Sequence, residues 1–119
     1  MTKLKTFQGD VDVRIIEKIP ESAKLLDTKT VMLGEKSGHN HTFLGQVLVY
    51  EPNKGDTITV RDDEKILVSK YVNVLEDTKL VHQEHDVDIG GQSIEKGLYV
   101  ITQEREWDVL ENQIRPAMD

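Results

Sequence analysis

Gln46-Val47-Leu48-Val49-Tyr50, Pro52-Asn53-Lys54-Gly55-Asp56 and Thr57-Ile58-Thr59-Val60 read in succession as strand, turn and strand. The outer runs are rich in β-branched side chains, which sit well on a pleated surface, and the middle run carries turn chemistry. This spacing predicts a hairpin across the five-residue loop. The same rhythm continues upstream. Val11, Val13 and Ile15 alternate with polar neighbours and predict a strand over 11–16, closed by Pro20. Residues 21–26 read as one short helical turn, and 30–33 as a strand stopped by Gly34. Downstream, Asp62-Asp63-Glu64 and Gly90-Gly91 read as turns between apolar runs at 66–68, 71–75, 79–82 and 97–102. Strands recurring about every ten residues, with no long helical period between them, predict an all-β fold: an antiparallel sandwich or small barrel. The tail from 109 to 119 reads as a short C-terminal helix or an extension over a sheet edge. No linker, repeat or low-complexity tract divides the chain, so a single β-rich domain over 1–119 is expected.

Composition supports this reading and narrows the chemistry. Val, Ile and Thr supply 31 of the 119 residues, a load of stiff side chains that favours sheets over helices. The absence of cysteine excludes disulfides, thiolate catalysis, iron–sulfur clusters and cysteine-based zinc sites. With 15 Lys+Arg against 22 Asp+Glu, the net charge of −7 argues against a nucleic-acid partner. No run approaches the roughly 20 apolar residues of a membrane span. Residues 1–7 lack the apolar stretch of a secretion signal, so a soluble cytoplasmic protein is expected.

The four histidines fall in two tight pairs, Gly38-His39-Asn40-His41 and His82-Gln83-Glu84-His85. His-x-His on an extended segment places both imidazoles on one face, because side chains alternate with period two. Two ring nitrogens can then reach one ion at roughly 2.0–2.1 Å. Gly34 and Gly38 flank the first pair and permit a sharp turn or a close backbone approach to a ligand. His-x-x-His cannot share a face of a regular strand, so only one of His82 and His85 is expected to point where His41 points. Glu84 and Asp86 alternate with His85 as further ligands or as acceptors for a ring N–H. A single histidine beside a turn is more often an exposed polar residue or a partner of loop backbone. Four together favour a shared site, and imidazole suits Zn, Fe, Ni, Cu or Mn better than Mg or Ca.

Other signals are weaker. Gly90-Gly91 is no phosphate loop, since no Gly-x-x-x-x-Gly-Lys-Ser/Thr occurs. Ser37 and His39 are poor candidates for a nucleophile and base, and a serine hydrolase is not expected. Tyr99, Ile101, Gln103, Arg105 and Trp107 share a face by period two. Core and edge packing is the plainer account of Trp107. The functional account has Arg105 or Glu106 lining the histidine pocket, with the Arg105 fork ready for a phosphate or carboxylate.

The first histidine pair is similar to the opening metal motif of cupins, with Gly34 ahead of His-x-His. However, Gln46 is the nearest polar side chain where a cupin has Glu, and the downstream Pro-x-Gly half is absent. The likeness is therefore one of architecture. Across most of its length the chain resembles a family of small uncharacterised bacterial and phage proteins. The resemblance rests on Gln8-Gly9-Asp10, on Gly34-Glu35-Lys36-Ser37-Gly38-His39-Asn40-His41 and on Leu80-Val81-His82-Gln83-Glu84-His85. It continues through Ile89, Gly97-Leu98-Tyr99-Val100-Ile101 and Arg105-Glu106-Trp107. Gly90-Gly91-Gln92-Ser93 stand where that family has a shorter turn with proline. The resemblance implies no particular reaction.

Three functions follow as expectations. The first is a divalent transition metal (Zn, Fe, Mn or Ni) held by His39, His41 and one or both of His82 and His85. Glu84 would then accept a proton in a hydrolytic reaction. The second is capture of a small anionic or nucleotide-like ligand by the histidines, Arg105, Glu106 and the backbone at Gly38. The third is a structural adaptor in a homo-oligomer, its sheet edges joined to other copies. Whether the protein is an enzyme is left open by the sequence.

Overall fold

The computed structural model describes residues 3–8, 11–33, 39–61, 64–84, 87–103, 105–108 and 113–116. Of these, 3, 7–8, 32–33, 39, 61, 83–84, 87–90, 105–108 and 113–116 are described by backbone alone. The strands, in chain order, are β1 (Lys3–Gln8), β2 (Val11–Ile15), β3 (Lys24–Leu26), β4 (Thr30–Leu33), β5 (His39–Phe43), β6 (Val47–Glu51) and β7 (Thr57–Arg61). They continue as β8 (Glu64–Leu67), β9 (Lys70–Val74), β10 (Thr78–Glu84), β11 (Val87–Ile94), β12 (Gly97–Gln103), β13 (Arg105–Asp108) and β14 (Gln113–Pro116). The fold is all-β and antiparallel. Among the described residues no helix is long and apolar enough to cross a membrane.

Two sheets pack as a sandwich. One has six strands in the order β1-β2-β12-β9-β6-β3, and the other has four in the order β11-β10-β5-β4. Period-two alternation explains the core between them. Val11 and Val13, Val47 and Val49, Val72 and Val74, and Tyr99 and Ile101 turn inward from the larger sheet. Val31, Phe43, Leu80 and Ile94 meet them from the smaller one. The opposite face of the larger sheet is also covered. There Val68, Tyr71 and Val100 pack with Ile16, Ile19, Ala23, Tyr50 and Ile58, so the central strands β9 and β12 are apolar on both sides.

Several local expectations are corrected. The strand at 57–61 does not pair with β6. It pairs with β8 as a separate two-stranded sheet, while β6 takes β9 and β3 as neighbours. The reason lies in the 52–56 turn: Asp56 N–H bonds the Asn53 carbonyl, and the Asp56 carboxylate accepts from Asn53 N–H and from the Tyr71 hydroxyl. That clip ties the segment to β9 instead of returning it along β6. Residues 21–26 form a turn and strand β3, not a helical turn. In the tail, where a short helix or an extension over a sheet edge was expected, residues 113–116 are strand β14 paired with β13.

Gly90-Gly91 lies inside β11 and makes a bulge in place of the expected turn. Leu80 pairs with Gln92 and His82 with Ile89, so two glycines stand opposite Val81. Gly91 has φ of 155°, which L side chains rarely adopt. Finally, β12 ends at Gln103 and β13 begins at Arg105 in another sheet, so the alternation from Tyr99 does not run unbroken to Trp107.

Candidate functional site

β5 and β10 are the two central strands of the smaller sheet. Their register pairs Phe43 with Leu80, His41 with His82, and His39 with Glu84. Residues directly opposite in an antiparallel pair share a face. Phe43 and Leu80 are in the sandwich core, so positions 41, 82, 39 and 84 continue that inner face toward one end of the sheet. The first histidine pair and the head of the second thus come together from distant parts of the chain.

Just beyond this ladder the chain crosses between sheets. From β5 it passes to β6, and from β9 it returns to β10. At this corner Gly45 N–H donates to the Thr78 hydroxyl at 2.7 Å, and Leu44 N–H to the Lys79 carbonyl at 3.0 Å. Leu75 N–H closes the other side on the Gln46 carbonyl at 2.9 Å. Only glycine fits at position 45, since a Cβ there would lie 2.5 Å from Thr78 Oγ1 and 2.9 Å from Thr78 Cβ.

The imidazoles of His41 and His82 stack, with ring centroids 4.8 Å apart and planes within 10° of parallel. His41 is 5% exposed, a buried polar side chain among apolar ones, and His82 is half-buried. Stacked rings bury their faces against each other. A tetrahedral ion with nitrogens at about 2.0–2.1 Å needs donors roughly 3.3 Å apart, so two stacked rings must tilt toward each other to share one. Across the sheet, the same level reads Met32, His41, His82, Ile89, and the next reads His39, Glu84, Val87. At these two levels donor-type residues occupy the central strands and apolar types the flanking ones. The glycine bulge brings Ile89, not Gly90, to the position opposite His82.

The remaining expected residues are placed as follows. Gly38 and His85 lie outside the described residues, and His39 and Glu84 are placed by backbone register alone. Arg105 and Glu106 are in β13, whose sheet partner is β14 and which pairs with neither β5 nor β10. Among the described residues no three His, Asp or Glu side chains form a group that could hold a metal ion. Sequence reasoning passed over Gln92, which pairs with Leu80 on the inner face. Its carbonyl oxygen is buried and has no hydrogen-bond partner among the described residues. Period-two counting back from Ile94 was the signal that could have found it.

No curated protein and no solved structure matches the chain. A family model does, across residues 7–104, a span that includes both central strands and every inner-face position described above. The chain belongs to the family described as a domain of unknown function, DUF8820.

Proposed function

We propose that the protein binds one divalent first-row transition ion (Zn, Fe, Mn or Ni) at the inner face of β5 and β10. His39, His41 and His82 are the nitrogen ligands, and Glu84 stands beside them. One observation carries the proposal: the register that sets His41 opposite His82 also sets His39 opposite Glu84. Three imidazole positions and a carboxylate position then occupy adjacent places on one face. Imidazole-rich sets with one carboxylate suit these borderline ions, whereas Mg and Ca prefer all-oxygen sites. His85, close to Glu84 in sequence, is the remaining candidate for a fourth nitrogen.

Such an ion lowers the pKa of a coordinated water toward about 7. In this reading Glu84 accepts that proton, and hydrolysis is the chemistry such a set supports best. A second reading has an observation of its own: His41 and His82 stack in parallel with His41 almost wholly buried, as flat side chains do when they serve only as packing.

Metal analysis of untagged protein, purified without chelators beside a His39→Ala/His41→Ala variant, separates the two. Near-stoichiometric Zn, Fe, Mn or Ni in the parent and its loss in the variant are expected. Absence of metal after purification, with none taken up on addition, leaves the stack as core packing.

A further inference from the structure

We infer that Lys70 is the anchor for an oxyanionic substrate of this site, holding the phosphate or carboxylate group of a small molecule beside the ion. The inference rests on the metal reading above and supplies its substrate class.

Three observations lead to it. The first is depth. The chain crosses between the two larger sheets at 27–29, 44–46, 75–77 and 95–96, and the strand pairings put all of these crossings at one end of the sandwich. The first inner pairs past that end are Phe43 with Leu80 in one sheet and Val47 with Val74 in the other, all in the core. Four residues further along, β5 and β10 reach His39 and Glu84, while β6 and β9 reach Glu51 and Lys70. The proposed ligand positions and a charged pair thus stand at equal depth on facing sheets, which pack about 10 Å apart.

The second observation is charge where the core pattern calls for an apolar residue. Period-two alternation sets Glu51 and Lys70 in line with Val49 and Val72 on the inner face. Nearer the crossings every inner residue of β6 and β9 is valine, whereas the Lys70 and Glu51 side chains are 24% and 50% exposed. Apolar packing between these strands ends at this depth, and this is the side from which a small molecule reaches the ion. The third observation is that Lys70 already holds an oxyanion. Its Nζ lies 3.5 Å from the Glu51 carboxylate and donates to the Ser69 carbonyl at 3.1 Å. A solvent-exposed pair of this kind contributes little, so a substrate oxyanion displaces Glu51 at small cost. An ammonium takes phosphate or carboxylate as a point charge. The net charge of −7 disfavours a polyanion and selects a small molecule. Arg105, the cation expected for this role, is in β13, which pairs with neither central strand.

The test uses the full chain loaded with Co2+ and follows its visible spectrum as inorganic phosphate is added. The parent is compared with Lys70→Met, Lys70→Arg and Glu51→Gln, and the Co2+ affinity of each is measured beside it. Lys70→Met is expected to weaken phosphate binding about 10–100-fold, the loss of a hydrogen bond between charged groups, with Co2+ affinity at the parental level. Lys70→Arg, which keeps the cation, is expected to stay close to the parent. Glu51→Gln removes the competing carboxylate and is expected to bind phosphate more tightly. Parental phosphate affinity in Lys70→Met overturns the assignment while leaving the metal site intact, as does a Co2+-loaded parent that takes no phosphate. Equal weakening in Lys70→Met and Glu51→Gln also overturns it, since loss of the ion pair is then the cause. Should Lys70→Met fail to fold, Glu51→Gln decides: tighter binding supports the anchor and any other result overturns it. A parent protein that takes up no Co2+ overturns the metal reading itself and this inference with it.

Discussion

The Gly45 amide donates to the Thr78 hydroxyl at 2.7 Å in the corner where the chain passes between sheets, just beyond the β5–β10 ladder that sets His41 opposite His82. Gly45→Ala forces a Cβ against Thr78 Oγ1 and Cβ, and neither atom is the end of a flexible side chain. The substitution is expected to destabilise the protein by about 1–3 kcal/mol and to disturb β5–β10 pairing more than the β2–β12 pairing elsewhere. Urea unfolding measures the first effect and backbone amide shifts the second. Shifts confined to residues 44–46 would show that the corner does not set the register.

Tyr71 is tied to the turn before β7 by its hydroxyl, which donates to the Asp56 carboxylate at 2.9 Å. Removing that hydroxyl in Tyr71→Phe loses a hydrogen bond to a charged acceptor, a loss of about 1.5–3 kcal/mol. Chemical denaturation near about pH 7, well below tyrosine ionisation, provides the measurement. A variant as stable as the parent would mean that the turn is held by its own backbone bonds.

The same residue predicts an alkaline weakness. Burial, then the hydrogen bond to Asp56, then the Asp56 charge push Tyr71 from 10.0 up to about 12. Tyr99 is raised as well, first by burial and then by the charges of Glu95 and Asp77. Above 10 the unfolded chain releases these protons while the native state keeps them, so the folded state binds more protons and loses stability as pH rises. The contribution is complete below about 10 and is lost through the window up to about 12. Unfolding midpoints stepped across that window should fall less steeply in Tyr71→Phe than in the parent. Parallel slopes would remove Tyr71 as the source.

Thr102 is 1% exposed, and its hydroxyl has no partner among the described residues. Thr102→Val keeps the shape and removes the orphaned group. It is expected to be neutral or to stabilise by about 1 kcal/mol, read from the denaturation midpoint. A loss of similar size would show that the hydroxyl has a partner in solution.

The inner face of the larger sheet was legible because Val11/Val13 and Tyr99/Ile101 repeat with period two, and that pattern reports burial directly. Strand partners were not legible. β6 pairs with β9 across the 52–69 segment, and the contact that ties the turn to β9, the Tyr71 hydroxyl on Asp56, joins residues far apart in the chain. Gly90-Gly91 misled for a related reason: glycine supplies the unusual backbone of a bulge as readily as that of a turn. β1 escaped notice because Lys3, Lys5 and Gln8 make it look like polar leader sequence, whereas lysine-rich strands are usual at sheet edges. The candidate site divides in the same way. The paired histidines stood out in the sequence, but the meeting of His41 with His82 is a long-range pairing, and Gln92 became visible only once β11 ran through the glycines.

The most direct measurement is a Zn2+ titration of 15N-labelled, untagged protein followed by long-range 1H–15N correlations, which report the four imidazoles separately. The account predicts that the ring signals of His39, His41 and His82 shift together and stop changing near a single equivalent, and that His41→Ala abolishes the response. Ring signals of these three that stay in place under excess Zn2+, Fe2+, Mn2+ and Ni2+ would contradict it.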